Sequence, residues 1–374
     1  MPRSSNMVDR GAASGAGLRV AVVGITPDNV HFLTYVRYLA RRGHDVTVIT
    51  NSSTVDAPVE VCSFARGGAM LRILPRGLRV LPRLARMRRC IRRDFDVLNI
   101  QQMTPDGVYA AFMWRGPLVL DFWGSDLYRL DRRPWLIRKL MPMAIRRATL
   151  IHSVSESMTR VLLGHGASAD RIETFQYGID LDVFGPGPVE RRRPLIVSSR
   201  GLQPFYRVEI LVRAMPTILA RRPDARLEIA GTGDATPLRT VVVELGLEGS
   251  VMLCGTLSQE ALAQRLREAQ VWVSLPPSDG APLSLLEAMA SGAVPVVADI
   301  PAMREWLSDA SGILIAEVTP EDVAQGVLAG LVRFGEADHM SVNLDAVRTQ
   351  GDQAQNLPRW ERMLYRAAET GGVR

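Results

Sequence analysis

An apolar strand pattern, a glycine turn and an amphipathic helix follow a short polar segment at the start of this sequence. Leu18–Gly24 predicts a strand, and Asn29–Arg42 predicts the helix that comes after it. Gly43 stands where this helix would end, and Asp45–Thr50 predicts a second strand. A strand, a helix and a strand in this order form a β-α-β unit, in which the two strands are parallel.

The same order recurs along both halves of the chain, which predicts an α/β fold. Two parallel sheets wrapped by helices indicate two doubly wound, Rossmann-like domains that face each other across a cleft. Ligands are expected at the carboxyl ends of the strands, in that cleft. The further predicted strands are Val97–Ile100, Leu118–Asp121, Leu150–Ser153, Leu195–Ser199, Arg226–Ala230, Val251–Cys254, Val271–Leu275, Val294–Val297 and Gly312–Ile315.

The length of 374 residues also favours two domains, since a domain usually has about 100–200 residues. A linker is indicated by Pro186, Gly187 and Pro188, together with the charged stretch Glu190–Pro194. We expect a disordered tail over 1–17, an N-terminal domain over 18–186, a C-terminal domain over 187–355, and over 356–374 a C-terminal helix that packs back on the N-terminal domain.

Composition excludes several classes of protein. The chain is 47% hydrophobic and 22% charged, which separates it from disordered proteins. Its longest apolar runs are much shorter than the ~20 residues that cross a bilayer, and residues 1–17 contain no apolar signal-peptide core. We therefore expect a cytoplasmic protein. The net charge is +6, but only one of the 45 basic residues is a lysine, so the charge reflects codon usage and identifies no partner.

Neither a disulfide framework nor a metal site is expected. The 3 cysteines form no C-x-x-C pair, and the 5 histidines form no i,i+4 pair. Two D-x-D triplets, Asp94–Asp96 and Asp180–Asp182, invite a metal interpretation. We interpret the first triplet as the approach to a strand and the second as part of the segment that leads into the linker.

The segment Val271–Val297 carries the most chemical information. It predicts a strand, a loop, a helix over Leu283–Ala290 and a further strand. The loop places the backbone N–H groups of Gly280, Ala281 and Leu283 at the N-terminus of this helix. Unsatisfied N–H donors and the helix dipole favour a phosphate or another anion at such a position.

Two carboxylates accompany this loop. Asp279 precedes the turn, and Glu287 follows eight residues later, about one turn into the helix. Both can point into one cleft and accept hydrogen bonds from a hydroxyl-rich ligand. In the alternative interpretation, Asp279 only caps the helix and Glu287 forms a surface pair. Pro282 fits the preference for proline at the first helical position.

This segment resembles the E-x7-E region of the retaining glycosyltransferases of family GT4, which have the GT-B fold. The resemblance extends from Leu18 to about Ile315 and implies an N-terminal acceptor-binding domain and a C-terminal nucleotide-sugar-binding domain. It implies that Glu287 binds the ribose of the donor, and that residues 280–283 hold its diphosphate and sugar. Asp279 replaces the glutamate of the family and is implied to bind sugar hydroxyls.

A second similar segment, SSRGLQPFYRVEILVRA, matches the part of the family that clamps the donor diphosphate. Arg200 matches the family's arginine, and Arg207, beside Tyr206, is our candidate for the second cation. A fixed guanidinium stabilises the negative charge that develops on the leaving nucleoside diphosphate. Gly231 and Gly255 resemble the family's turn after the second strand of the nucleotide domain and its loop beside the nucleobase.

The N-terminal half supplies one candidate donor contact, Gly24, and three candidate acceptor contacts, His31, Trp123 and Asp126. Gly24 and His31 resemble the family's first glycine turn and the start of its first helix, although a solvent-facing or core histidine is an equally good interpretation of His31. The segment LDFWGSD resembles the family's H-G-S-D region with Trp123 in the histidine position, a version that is similar to one subgroup. The resemblance implies that Asp126 orients a hydroxyl and that Trp123 packs against a sugar face.

Eight arginines lie among apolar residues over Arg76–Arg93. This stretch fits an amphipathic helix on a membrane surface, as expected for a lipid-linked acceptor, or a helix that is simply solvated. Pro75 and Pro82 interrupt its apolar face, which favours a small soluble acceptor. No aromatic interleaving or known reader motif accompanies the charge, so nucleic-acid binding is not expected.

These motifs predict a retaining glycosyltransferase that moves a sugar from a UDP- or GDP-linked donor to a small molecule of specialised metabolism or to a glycan precursor. We expect no tightly bound cofactor and no metal. Peripheral membrane contact and the oligomeric state stay open. Two alternatives also stay open: the same scaffold conjugating the sugar to an amine or a thiol, and a non-catalytic nucleotide-sugar-binding partner protein.

Overall fold

The computed structural model describes residues 17–24, 29–65, 80–189, 194–280, 282–334 and 339–371. It contains two sheets, whose paired strands are parallel. The expected tail over 1–17 lies outside the described residues except for Gly17. The predicted α/β class with two Rossmann-like domains is confirmed.

The first sheet has seven strands in the order β3-β2-β1-β4-β5-β6-β7. Parallel neighbours of this kind need a helical crossover, which the sequence supplies between the strands. The strands are β1 Arg19–Val23, β2 Asp45–Thr50, β3 Glu60–Ser63, β4 Val97–Gln101, β5 Leu118–Phe122, β6 Leu150–Ser153 and β7 Ile172–Thr174. The helices of this half are α1 Val30–Arg41, α2 Val80–Ile91, α3 Pro105–Met113, α4 Ser125–Tyr128, α5 Trp135–Arg147, α6 Glu156–Gly164 and α7 Leu181–Phe184.

The second sheet has six strands in the order β10-β9-β8-β11-β12-β13. Its strands are β8 Leu195–Ser198, β9 Arg226–Ala230, β10 Val251–Gly255, β11 Val271–Ser274, β12 Val294–Ala298 and β13 Ile313–Ile315. Its helices, with those that follow it, are α8 Val208–Arg221, α9 Thr236–Glu244, α10 Gln259–Glu268, α11 Leu283–Ser291, α12 Pro301–Arg304, α13 Pro320–Arg333, α14 His339–Gln350 and α15 Gln353–Gly371.

The chain divides into two compact units, and neither unit is a single continuous stretch of the sequence. The first unit consists of 1–121, 135–151 and 361–374, and the second of 122–134 and 152–360. Short segments of the first half of the chain therefore belong to the same unit as the second sheet.

Local sequence explains where the first elements begin and end. Helix α1 starts after Asn29, whose side chain accepts the N–H of Phe32 at 3.0 Å, a typical N-cap bond. After the helix, Gly43 takes a φ of 87°, which glycine adopts without steric cost. Gly24 ends the first strand segment, and a Cβ there would lie 2.0 Å from the Phe32 ring. The predicted β-α-β unit is confirmed within one or two residues at each boundary.

The inner strands β8, β11 and β12 of the second sheet are buried on both faces, as expected for a parallel sheet covered by helices. Val271 and Val273 belong to one hydrophobic cluster, whereas Trp272 between them belongs to another. Successive side chains of a strand point to opposite faces, so one short apolar strand supplies both cores. The near-continuous apolar strands thus reflect burial on two sides.

Helix α15 is amphipathic. Trp360, Met363 and Leu364 are fully buried. Glu361, also buried, accepts hydrogen bonds from side chains of the first unit that lie in or just after α1. The partners and distances are Tyr38 Oη at 2.7 Å, Arg42 Nε at 3.1 Å and His44 Nε2 at 2.9 Å.

One pair of cysteines forms a disulfide that the cysteine spacing did not predict. Cys62 on the edge strand β3 is bonded to Cys90 on α2, and Cys254 is free. The sequence did not reveal this pair because its members are separated by 28 residues and only the packing of α2 beside β3 brings them together.

The arginine-rich stretch forms helix α2 from Val80 onwards, while Arg76, Arg79 and Pro75 lie outside the described residues. Arg83 pairs with Asp106 and lies over the Phe64 ring, and Arg86 donates to the Ala65 carbonyl at 2.6 Å. The expected interruption at Pro82 is wrong, because Pro82 lies in the first turn of α2, where its missing N–H has no helical partner.

Candidate functional site

The carboxyl ends of β8 and β11 bring two predicted residues together. Arg200 follows β8, and Asp279 lies in the loop after β11. Arg200 Nη2 is 2.6 Å from Asp279 Oδ2, and Arg200 Nη1 donates to Ser284 Oγ at 2.6 Å. The Arg200 side chain is only 12% exposed, and its buried Nε has no hydrogen-bond partner among the described residues. One N–H donor of this guanidinium is therefore buried and unsatisfied in the structure.

Tyr206 covers the same guanidinium. The Arg200 Cζ atom lies 4.7 Å from the centroid of the Tyr206 ring, within cation–π range. Arg207 comes next, with a φ of 54° between the short 3-10 helix 204–206 and α8. Within the described part of the chain, the Arg207 side chain forms no ion pair. The structure thus fixes Arg200 tightly and leaves Arg207 partly exposed.

Asp279 uses both carboxylate oxygens within the loop. While Oδ2 pairs with Arg200, Oδ1 accepts the N–H of Gly280 at 2.8 Å. Helix α11 begins at Leu283, and Pro282 is its N-cap residue rather than its first residue, which corrects the predicted position. Ala281 lies outside the described residues.

Glu287 lies about one turn into α11, three residues after Ser284 and hence on the same helix face. Its side chain is 7% exposed and makes no hydrogen bond within the described ranges. Burial raises the pKa of Glu287 from 4.5 to about 7, and the positive charge of Arg200 opposes this rise. A surface pair, the alternative interpretation of Glu287, is therefore wrong.

Gly231 follows β9, the neighbour of β8, and lies beside Arg200, while Gly255 ends the next strand, β10. The Gly231 N–H donates to the Gly255 carbonyl at 2.8 Å, and a Cβ on Gly231 would lie 2.1 Å from the Arg200 carbonyl oxygen. Gly255 has a φ of 69°, in the left-handed region that favours glycine. Glycine is needed at Gly231 because the backbone that carries Arg200 passes directly over it.

The Trp123–Asp126 segment forms a turn after β5. Asp126 is fully buried, and its carboxylate accepts the N–H groups of Gly124 at 2.8 Å and Trp123 at 3.3 Å. The Trp123 ring meets the Tyr177 ring edge-on at 6.2 Å. This turn belongs to the second unit, together with Arg200, Asp279 and Glu287.

The two other predicted residues lie in the first unit. Gly24 follows β1, and His31 is the second residue of α1 and is partly exposed. The D-x-D triplets have local partners: Asp94 and Asp96 both pair with Arg19, and Asp180 accepts the N–H of Asp182 at 3.0 Å. Across the described residues, no group of three His, Cys, Asp or Glu side chains could hold a metal ion.

Sequence reasoning missed Ser284 and Gly124. Ser284 holds Arg200, and its only signal was a hydroxyl in the first turn of the predicted helix. Gly124 has a φ of 138° and contacts Gly280 through the backbone. The only indication in the sequence was its position between the candidate residues Trp123 and Asp126.

Two family models match consecutive parts of the chain. The model described as Glycosyltransferase Family 4 covers residues 29–183, and the model described as Glycosyl transferases group 1 covers residues 191–331. A phosphatidyl-myo-inositol mannosyltransferase of Mycolicibacterium smegmatis is 28% identical over 328 residues, which are 83% of this chain and 81% of that protein. A D-inositol 3-phosphate glycosyltransferase of Mycobacteroides abscessus is 26% identical over 349 residues, covering 82% of this chain and 77% of that protein.

Solved structures show the same fold. Anabaena HepE, in complex with UDP and glucose, matches with a TM-score of 0.74 and 15% identity over 93% of this chain and 100% of that one. A sucrose-phosphate synthase from Thermosynechococcus elongatus matches with a TM-score of 0.76 and 14% identity over 94% of this chain and 99% of that one.

Proposed function

This chain is a GT-B glycosyltransferase of family GT4, and we propose that it transfers a sugar from a nucleoside-diphosphate sugar with retention of configuration. One observation carries the proposal: a nearly buried guanidinium, Arg200, is locked at the N-terminus of α11, one helical turn before the buried carboxylate of Glu287. A cation and a carboxylate that accepts no hydrogen bond from the described residues suit the diphosphate and the ribose of one ligand.

The diphosphate would interact with Arg200 and with the start of α11. The partly exposed guanidinium of Arg200 and the first N–H groups of the helix are donors for phosphate oxygens, and the helix dipole adds to the attraction. Arg207, at the surface of the same region, supplies a second positive charge. Gly231 and Gly255 allow the backbone of the strand ends to pass close to the nucleotide.

The ribose would interact with Glu287. A carboxylate accepts hydrogen bonds from two neighbouring hydroxyls, and these bonds replace the water that burial has removed. Because the pKa of Glu287 is raised to about 7, a bound ribose that donates to the carboxylate lowers this pKa again. Asp279 and residues 280–283 would then surround the sugar. Gly24 is proposed to contact the donor, and His31 and Trp123 are proposed on the acceptor side.

The proposed reaction is a front-face displacement. The bond between the anomeric carbon and the diphosphate oxygen breaks, and the acceptor oxygen forms a bond to that carbon on the same face. The acceptor proton passes to the leaving diphosphate, so the protein supplies no base. Its contribution is to orient both substrates and to stabilise the charge that grows on the diphosphate, mainly through Arg200.

GDP-mannose and UDP-glucose are the donors to test first. The mycobacterial relative is named as a mannosyltransferase, a relative in Xanthomonas oryzae is named for GDP-mannose, and Anabaena HepE holds UDP and glucose. We propose a hydroxyl acceptor, either a small molecule of specialised metabolism or a glycan precursor, and the amine or thiol acceptor is the alternative.

A lipid-linked acceptor is the second candidate, because Arg88, Arg89 and Arg92 stay exposed on and just after α2 and because one relative is named for phosphatidyl-myo-inositol. In the described residues, no helix is long and apolar enough to span a membrane. Flotation with vesicles of neutral and of anionic lipids tests this candidate, and recovery of the protein in the protein-only fraction with both kinds of vesicle excludes it.

Thermal unfolding with UDP, GDP, ADP and dTDP and their common sugars tests the proposed donor. A ligand at about 100 times its Kd adds about 2.7 kcal/mol of stability, so the cognate nucleotide should raise Tm clearly. Arg200→Ala should abolish this rise, whereas Arg213→Ala, an exposed arginine on α8 paired with Glu209, should keep it. No rise with any nucleotide, or full transfer activity in Arg200→Ala, would contradict the proposal.

A further inference from the structure

Two glycines of the second unit are in backbone contact. A Cβ on Gly280 would lie 2.0 Å from the Trp123 carbonyl oxygen and 2.8 Å from the Gly124 Cα atom. A Cβ on Gly124 would in turn lie 2.7 Å from the Gly280 nitrogen. Neither position has room for any side chain, since Cβ atoms do not approach other heavy atoms within 3.0 Å. The 123–126 turn therefore directly supports the 275–280 loop.

Asp126 gives this turn its shape. Its carboxylate is fully buried, and it accepts the backbone N–H groups of Trp123 and Gly124. Gly124 has a φ of 138°, which L-residues rarely adopt, so the turn depends on both the glycine and the bonds from Asp126. A buried carboxylate that accepts backbone N–H groups is a strong constraint, because each such bond involves a charged acceptor.

A second contact joins the same part of the chain to the Arg200 region. The guanidinium of Arg129, just after α4, lies 5.2 Å from the centroid of the Phe205 ring. Phe205 packs against Tyr206, whose ring covers Arg200. The segment 123–129 therefore contacts the neighbours of both members of the Arg200–Asp279 pair: Gly280, which follows Asp279, and Phe205, which packs against the Tyr206 ring over Arg200.

We propose that Asp126 and Gly124 are positioning residues for the 275–280 loop, and that they keep Gly280 and Asp279 in the conformation that holds Arg200. Asp126 then acts on the donor through the backbone rather than by binding an acceptor hydroxyl. The proposal rests on the proposed function, since its consequence is felt in nucleoside-diphosphate binding. It makes the turn a determinant of donor affinity even though its side chains do not contact the diphosphate.

Hydrogen exchange of the ligand-free protein tests the support itself. In Asp126→Asn, the amide can accept only one of the two N–H groups, and we expect residues 276–283 to exchange at least fivefold faster than in the unmodified protein. The control is Asp180→Asn, which weakens a similar side-chain-to-backbone bond at the N-cap of α7. Unchanged exchange of residues 276–283 in Asp126→Asn would overturn the proposal.

Nucleotide affinity tests the consequence. Gly124→Ala and Gly280→Ala should each weaken binding of the cognate diphosphate, UDP or GDP, at least tenfold, whereas Gly249→Ala, which has open space around its Cα, should change Kd less than twofold. Affinity in both glycine variants within twofold of the unmodified protein would overturn the proposal.

A double-mutant cycle separates positioning from general damage. In an Asp279→Asn background, Gly124→Ala should cost less than threefold, because the pair that the turn supports is already broken. A full tenfold additional loss would show an independent structural effect and overturn the proposal. If the unmodified protein binds neither UDP nor GDP, the proposed function fails, and hydrogen exchange still decides whether the turn supports the loop.

Discussion

Two buried glutamates of this protein have pKa values shifted in opposite directions. Glu287, in the second unit, is 7% exposed, and burial raises its pKa to about 7. Glu361, in the first unit, is 5% exposed, and although burial by itself raises its pKa, hydrogen bonds from His44, Tyr38 and Arg42 bring the net pKa below the ordinary value. Burial is similar in both, so the difference comes from the donors that surround each carboxylate.

Both carboxylate oxygens of Glu361 accept hydrogen bonds. His44 Nδ1 accepts the N–H of Leu18 at 3.0 Å, so Nε2 carries the proton and donates to Glu361. Tyr38 and Arg42 supply the remaining donors. A carboxylate satisfied in this way stabilises the fold, whereas one that lacks donors within the described residues, such as Glu287, is poised to accept them from a ligand.

The largest effect is expected from Glu361→Ala. This change leaves the buried His44 and the partly buried Tyr38 without their acceptor, and we expect the free energy of unfolding to fall by about 4 kcal/mol at pH 7. Urea unfolding measures it, with Glu209→Ala, an exposed glutamate on α8, as the control. Because the pKa of Glu361 is lowered, the stability it contributes is present above its ordinary pKa and is lost as pH falls through the lowered value. A loss below 1 kcal/mol would contradict the interpretation.

Glu287→Gln should have the opposite effect on stability. The unfolded chain releases the proton near pH 4.5 and the folded one near pH 7, so stability falls as pH rises between these values. Since one pKa unit corresponds to about 1.4 kcal/mol, the neutral variant should be more stable by about 3 kcal/mol at pH 8 and equally stable near pH 4. Urea unfolding at both pH values measures this difference. Equal stability of the two proteins at pH 8 would show that Glu287 ionises freely.

The same variant should lose affinity for the donor. Replacing a charged acceptor of ribose hydroxyls by an amide costs about 2 kcal/mol, or about 30-fold in Kd. Calorimetric titration with the cognate nucleoside diphosphate at pH 8 measures the loss, and Glu209→Gln should bind normally. Unchanged affinity in Glu287→Gln would place the ribose elsewhere.

The smallest effect is expected from Tyr38→Phe. It removes one of the donors to Glu361 and leaves His44 and Arg42 in place, so the loss should be about 1 kcal/mol. Tyr109→Phe serves as the control, because the Tyr109 hydroxyl makes no hydrogen bond in the described part of the chain. Equal losses in the two variants would mean that the hydroxyl of Tyr38 contributes nothing specific.

The periodic parts of the fold were predictable from the sequence. The strands Asp45–Thr50, Leu150–Ser153 and Arg226–Ala230 agree with the structure at both ends, because short apolar runs bounded by turns or helix ends have few alternatives in a parallel sheet. The pairing of Arg200 with Asp279 was only partly foreseen. Both residues were candidates for the site, but the sequence does not encode the 2.6 Å contact between them.

Two features that the sequence did not reveal depend on how the chain folds in three dimensions. Cys62 and Cys90 are far apart in sequence and meet because α2 packs beside β3. In the sequence, an aspartate that binds the acceptor and an aspartate that shapes a turn look the same, so the sequence does not assign Asp126 to one of these roles. Its two backbone bonds become visible only when the chain folds back on itself after β5.

The sequence by itself determined the α/β class, the order of the elements and the family, because these follow from apolar periodicity, turn residues and short motifs that act locally. Tertiary structure alone decided which buried glutamate is satisfied and which is not. Glu287 and Glu361 both lie on helices with apolar neighbours, and nothing local distinguishes them. Only the tertiary packing of α15 brings His44 and Tyr38 to Glu361. The number of hydrogen-bond donors around a buried carboxylate determines whether it is ionised.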